Sequence, residues 1–187
     1  MNETPVQPQF NQVATELAEP LLRYLTRQIG DPMVAEDLRQ ETLLRIERGL
    51  SNFAGRAQLK TWAFSIAGNV VADYLRQPQH RIKLVDIEEA ANASADDQTL
   101  DEQLVIDEMN SCVRGVIDSL PPDYRTALIL HDLEGMTAEQ TAAVSQCSLA
   151  TAKIRIHRAR QRLKDALRRQ CDFYRDADDV FRCSRVS

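Results

Sequence analysis

Residues 137–167 read TAEQTAAVSQCSLATAKIRIHRARQRLKDAL, and their spacing decides the fold of the C-terminal half. Thr137 and Gln140 fit a capping box, so a short helix is expected from Ala138 to about Val144. Ser148 suits the N-cap of a second, longer helix. On that helix Leu149, Ala152, Ile156, Ala159, Leu163 and Ala166 recur at helical spacing and are expected to face inward. Thr151, Lys153, Ile154, Arg155 and Arg158 are left near its exposed N-terminal end. Two helices joined by a turn of three or four residues, the second one cationic, make a candidate helix-turn-helix. Taken by itself, the pattern also fits a basic surface helix with no nucleic-acid partner.

The charge supports looking for a polyanion. The chain has 187 residues and a formal net charge of −5, yet Lys153 to Arg169 holds eight basic residues opposed only by Asp165. From Asp86 to Glu108 there are nine acidic residues and no Lys or Arg. A partner meets the local sign, not the net charge.

Upstream, Val13, Leu17, Leu21, Leu25 and Ile29 recur every four residues and mark a helix that Gly30-Asp31-Pro32 stops. Val34, Leu38, Thr42, Ile46 and Leu50 line a second helix, with Glu36, Asp37, Arg39, Gln40 and Glu41 polar. After the loop GLSNFAGRAQ, a third helix runs through Leu59, Trp62, Ile66, Val70 and Tyr74. Residues 81–105 combine weak periodicity with negative charge and read as an acidic linker; a short acidic helix packed on a neighbour is the alternative. The second unit starts near Ile106, is broken at Pro121-Pro122, and continues in a helix expected to run through PDYRTALILHDLEG to Gly135. Six glycines and 5% aromatic residues favour helix throughout. The expected fold is all-α: two small helical domains, at 10–80 and 106–169, joined by the linker, with the helix-turn-helix in the second.

No stretch approaches the roughly 20 apolar residues that cross a bilayer, and MNETPVQPQF lacks the features of a signal peptide. A cytoplasmic protein without stable membrane insertion is expected. His80, His131 and His157 share no metal-ligand spacing, and no nucleophile–base set or phosphate-binding glycine loop suggests an enzyme. Cys112 and Cys147 read as core residues.

Residues 170–187 form a separate tail. If Asp176-Ala177-Asp178 makes a three-residue turn, a short β-hairpin sets Cys171 opposite Cys183, Phe173 opposite Phe181, Asp172 opposite Arg182 and Arg175 opposite Asp179. Opposed thiols there would form a reversible disulfide or supply part of a soft-metal site. The alternatives are a disordered tail or a hairpin held only by its aromatics. No other cofactor is expected.

Four stretches, DPMVAEDLRQETLLRI, LKTWAFSIAGNVVADYLR, LPPDYRTALILHDLEGMTAEQTAAV and SLATAKIRIHRARQRLKDAL, resemble in order the extracytoplasmic-function sigma factors of bacterial RNA polymerase. The resemblance covers about residues 10–168 and implies an alternative sigma factor that directs promoter-specific transcription initiation. Its implied partners are core RNA polymerase, promoter DNA and an anti-sigma factor. It places Asp37, Gln40 and Glu41 on the polymerase-binding face, and Phe53, Lys60, Asn69, Asp73 and Arg76 at the −10 element. The loop Ser51–Gln58 matches the segment that captures an extruded base. Thr151, Lys153, Ile154, Arg155 and Arg158 are placed at the −35 element, with Arg160 and Arg162 on phosphates or solvent. The linker would follow the polymerase channels, its acidic run either mimicking nucleic acid or serving as a solvated spacer.

The chain departs from the family pattern at three places. Gly68-Asn69 stands where Arg-Asn is common, Gln146-Cys147 stands where Gly-Ile commonly precedes the recognition helix, and Thr141 replaces an aliphatic residue. From the residues alone, a stand-alone helix-turn-helix regulator or a helical protein-interaction module remain the other readings.

Overall fold

The structure is a computed structural model that describes residues 9–77, 113–175 and 181–185. The acidic linker, Cys112, His80 and the tail residues Asp176 to Asp179 lie outside the described residues.

In α1 (Phe10–Ile29) the four-residue stripe is buried as expected: Val13, Leu17, Leu21 and Leu25 face inward, joined by Tyr24 and Gln28. Gly30 ends the helix at φ 80°, a left-handed conformation that glycine adopts without strain, and its N–H donates to the Thr26 carbonyl. Asp31 caps α2 (Pro32–Leu50) by accepting from the amides of Met33 and Val34. Pro32 takes the first helical position, where its missing N–H leaves nothing unpaired. α3 (Leu59–Arg76) completes the first unit, burying Thr61, Ala63, Phe64, Ala67, Val70 and Val71. The rings of Tyr24 and Phe64 meet with centroids 5.3 Å apart. Burial, and secondarily the charge of Glu134, push the Tyr24 phenol well above its ordinary pKa.

The second unit comprises α4 (residues 113–118), α5 (Pro122–Leu128), α6 (Ala138–Val144) and α7 (Leu149–Gln170). One α-helix was expected from Pro122 to Gly135. Instead the backbone widens at Ile129–Leu133 into a π turn, and the Glu134 N–H reaches back five residues to the Ile129 carbonyl. Gly135, at φ 67°, ends the segment. The capping box on α6 is present in full, with Thr137 and Gln140 each accepting from the other's amide. Ser148 caps α7 by accepting from the Thr151 amide.

The two units share a core. One apolar cluster takes in Leu21, Tyr24 and Leu25 of α1, Phe64 and Ala67 of α3, and Ile129, Leu130, Met136 and Val144 of the second unit. A smaller cluster, built on Leu120, Leu128 and Ala159 with Tyr124 and Leu163 against it, holds α5 to α7. Thr141 of α6 is fully buried, and its hydroxyl has no hydrogen-bond partner. A buried hydroxyl left unpaired costs about 1–3 kcal/mol, whereas valine has nearly the same shape. Thr141→Val is therefore expected to stabilise the protein by about 1 kcal/mol, raising the melting temperature by about 2–4 °C for a chain of this size. Thermal unfolding followed by circular dichroism reads the shift; an unchanged or lower melting temperature contradicts it.

The tail forms the hairpin but in a different register. β1 (Cys171–Arg175) pairs antiparallel with β2 (Phe181–Arg185), setting Cys171 opposite Arg185 and Phe173 opposite Cys183. Residues 176–180 span the strands, so the connection has five residues instead of three, which slides every pair by two positions. Directly opposed cysteines, on which the disulfide and metal readings rested, are thereby removed. Among the described residues no cluster of three or more His, Cys, Asp or Glu side chains could hold a metal ion.

Candidate nucleic-acid interface

The helix-turn-helix is α6, a turn over residues 145–148, and α7. Its turn needs one residue in the left-handed region, and Gln146 supplies it at φ 50°. Glycine adopts that conformation more readily, yet the turn closes: the Cys147 N–H donates to the Ala142 carbonyl and the Ser145 N–H to the Thr141 carbonyl. Cys147, expected in the core, lies half-buried in this turn. Beyond it, Ala152, Ile156 and Ala159 hold α7 onto the unit. Leu149, expected inside, is 38% exposed, because the first helical residue precedes the point where the apolar stripe reaches the core.

Lys153, Ile154 and Arg158 are exposed, and Ile154 is 51% accessible. Ile154 and Arg158, with Pro122, Asp123 and Thr151, border an open cleft of about 510 Å³ at the N-terminal end of α7. Arg155 is half-buried beside it, its guanidinium hydrogen-bonded to the Asp123 carboxylate of α5. That pairing was not visible from spacing, since 32 residues separate the two. Arg160, expected on phosphate or solvent, forks instead onto the Asp132 carboxylate of the π turn, which raises its pKa. The Arg162 guanidinium lies 5.0 Å from the centre of the Tyr124 ring, a cation–π distance.

On the first unit, Asn69, Asp73 and Arg76 line one side of α3. Arg45 of α2 joins two sets of expected residues: its Nε donates to Glu41 at 2.7 Å and its Nη1 to Asp73 at 2.9 Å. Asp73 also accepts from Arg76 at 2.9 Å. Asp73, then Glu41, hold the Arg45 guanidinium above its usual pKa. Sequence reasoning missed Arg45, and the i,i+4 spacing from Glu41 was the available signal. Asp37 and Gln40 are exposed on the same helix, next to the exposed Leu44. Phe53 packs on Trp62 with ring centroids 5.0 Å apart, which fixes the loop before α3. Lys60 and Asn69 are brought against the second unit, where Lys60 donates to the Glu134 carbonyl and Asn69 accepts from the Gln146 side chain.

A helical unit with an exposed polar face, joined to a helix-turn-helix whose cationic helix end is open, defines a two-part nucleic-acid-binding protein. Comparison with known proteins gives the particular family. Residues 13–81 match the model for Sigma-70 region 2, and residues 111–163 match that for Sigma-70, region 4. The chain is 32% identical over 165 residues to the RNA polymerase sigma-H factor of Pseudomonas aeruginosa, an alignment covering 84% of this chain and 86% of that one. It is 31% identical over 132 residues to the ECF RNA polymerase sigma-E factor of Escherichia coli, covering 67% and 69% of the two chains. Among solved structures it is similar to the sigma factor RpoE of Bartonella quintana, determined in complex with the anti-sigma factor NepR. That match has a TM-score of 0.69 and 28% identity and covers 85% of this chain and 96% of that one. The chain belongs to the extracytoplasmic-function sigma factors, and as an alternative sigma factor it directs promoter-specific transcription initiation.

Proposed function

We propose that this sigma factor divides promoter recognition between its two units. The N-capped end of α7 reads the −35 duplex through Thr151, Lys153, Ile154, Arg155 and Arg158, and the open cationic helix end is the observation that carries this reading. Phosphate contacts by the lysine and arginines set position, while base-edge contacts specify sequence. Ile154 suits a thymine methyl in the major groove.

The α2 face with Asp37, Gln40 and Glu41 docks on core RNA polymerase. Asn69, Asp73 and Arg76 on α3, together with Lys60, follow the −10 strand. Melting becomes cheaper when an extruded base finds a pocket, because specific contacts offset a few kcal/mol of unstacking. Phe53 serves that step by anchoring the capture loop on Trp62. No helix among the described residues is long and apolar enough to cross a membrane. The reading places the protein in the cytoplasm, as a non-enzymatic subunit whose polymerase performs the chemistry, and gives it a cognate anti-sigma partner such as the relative from Bartonella quintana has.

The test is run-off transcription with core polymerase on a pool of genomic promoters, with and without this protein. Transcripts that depend on both the protein and particular promoters are expected. Their absence from an otherwise active reaction would remove the reading.

A further inference from the structure

A carboxylate repels a nucleic-acid strand unless cations cover it, and Asp73 is covered from two helices. Asp73 Oδ1 accepts from Arg76 Nη2, three residues on along α3, and Asp73 Oδ2 accepts from Arg45 Nη1 of α2, each at 2.9 Å. Arg45 Nε in turn donates to Glu41 Oε1 at 2.7 Å. Glu41, Arg45, Asp73 and Arg76 therefore form one row in which the sign of the charge alternates at each step. One end lies on the face assigned to polymerase and the other on the face assigned to the −10 strand. Arg76 is the outermost member, its side chain 74% exposed against 42% for Glu41, 36% for Arg45 and 44% for Asp73.

We infer that Arg45 is a positioning residue that ties polymerase docking to −10 binding: when polymerase takes the Glu41 carboxylate, Arg45 turns to Asp73, and Asp73 releases Arg76 to a phosphate of the strand. The assignment of the two ends rests on the sigma-factor reading above. Charge gives the sign of the effect. With Glu41 in the row, two carboxylates balance two guanidinium groups, and a strand meets no net charge. With Glu41 engaged elsewhere, two guanidinium groups share one carboxylate, and the surplus positive charge falls on the exposed end, Arg76. A guanidinium carries its donors in a fixed fork, so Arg45 can meet Asp73 through two parallel bonds once Glu41 lets go.

The row is not what holds its two helices together. Ile46 and Leu50 of α2 and Ala63, Phe64 and Ala67 of α3 belong to one buried cluster beneath it. Ion pairs as exposed as these add little to stability, so partners can be exchanged along the row while α2 and α3 stay packed. Arg45 thus acts on the strand only through Asp73 and Arg76.

Side-chain NMR of the free full-length protein labelled with nitrogen-15 arginine tests the row without polymerase or promoter. Glu41→Gln is expected to move the Arg76 guanidinium signals toward those of Asp73→Asn, in which Arg76 has lost its carboxylate. Glu47→Gln removes an equal charge from an exposed position of α2 outside the row and is expected to leave them in place. In Arg45→Met/Glu41→Gln the movement is expected to vanish, because the link is gone. A second measurement uses holoenzyme assembled with core polymerase and a fluorescent single strand from the non-template −10 region of a promoter recovered by run-off. Arg45→Met is expected to weaken strand binding by about two- to fivefold, the worth of an exposed ion pair. Its salt dependence is expected to become shallower by up to about 0.7 in slope, one phosphate contact on a single strand. In an Asp73→Asn background the same substitution is expected to change neither, and Arg45→Lys is expected to recover part of the affinity. A role in stability alone would carry the loss into the Asp73→Asn background as well. Arg76 signals that ignore Glu41, or wild-type strand binding by Arg45→Met in a holoenzyme that still initiates, overturn the inference. A wild-type protein that supports no promoter-dependent run-off while its Arg76 signals follow Glu41 sinks the sigma reading instead and leaves the row standing.

Discussion

Arg27→Met is expected to lower the unfolding free energy by up to about 3 kcal/mol, and with it the melting temperature by about 6–12 °C. The cause lies in its partner. The Glu134 side chain is 4% exposed, and Arg27, itself 34% exposed, is its ion-pair partner across the two units. The Lys60 ammonium nearby is committed to the Glu134 backbone carbonyl, not to its carboxylate. Removing the arginine leaves a desolvated charge without its counterion, which is costlier than losing an exposed pair. Opening the contact between the units returns Glu134 to water, so the free energy that holds them together caps the loss. Two measurements follow from that cap. Arg27→Met/Glu134→Leu should recover most of the stability, because an apolar replacement of a buried pair is often neutral. Arg27→Met combined with Gly68→Gln, whose side chain meets Val144 of α6 and parts the units, should lose little more than the larger single effect. A single variant within about 0.5 kcal/mol of wild type, or full additivity in the double, contradicts the role given to Glu134.

The residues at that contact also show what the amino-acid sequence makes legible. Thr137, Gln140 and Ser148 were readable because a cap is closed by amides three residues away. The α1 stripe was readable for the same reason, since helical periodicity is local. Arg27 and Glu134 are 107 residues apart, and Arg155 and Asp123 are 32 apart; no spacing rule reaches such pairs. The π turn at Ile129–Leu133 escaped because its apolar residues also satisfy α-helical spacing. Polar positions that the family resemblance supplied as promoter contacts, Lys60 and Asn69, proved to have a second partner inside the chain. The departures at Gly68 and Gln146 were visible as isolated oddities. Only their juxtaposition across the contact between α3 and the turn relates them.

Arg155→Ala is expected to weaken binding of a −35 duplex by about 10- to 100-fold, the range in which a good bidentate base contact discriminates, while affinity for core polymerase stays near wild type. Arg155 lies on α7, away from the α2 face that carries Asp37, Gln40 and Glu41, so the two binding events draw on different residues. The Asp123 carboxylate gives the experiment a second arm. In the structure it holds the guanidinium beside the cleft and cancels its charge. Asp123→Asn should therefore strengthen duplex binding and steepen its salt dependence by close to one phosphate contact, because a cation that was internally paired becomes available to the backbone. The same release should cost discrimination, since a guanidinium fixed by a carboxylate presents one geometry to a base edge and a free one does not. Fluorescence anisotropy with a duplex from a recovered promoter, and with versions substituted one base pair at a time, separates these effects. If Arg155 reads a base, its alanine variant flattens the response at one position. If it meets phosphate, affinity falls uniformly. Equal loss of polymerase and duplex binding in Arg155→Ala would contradict the division of labour between the two units.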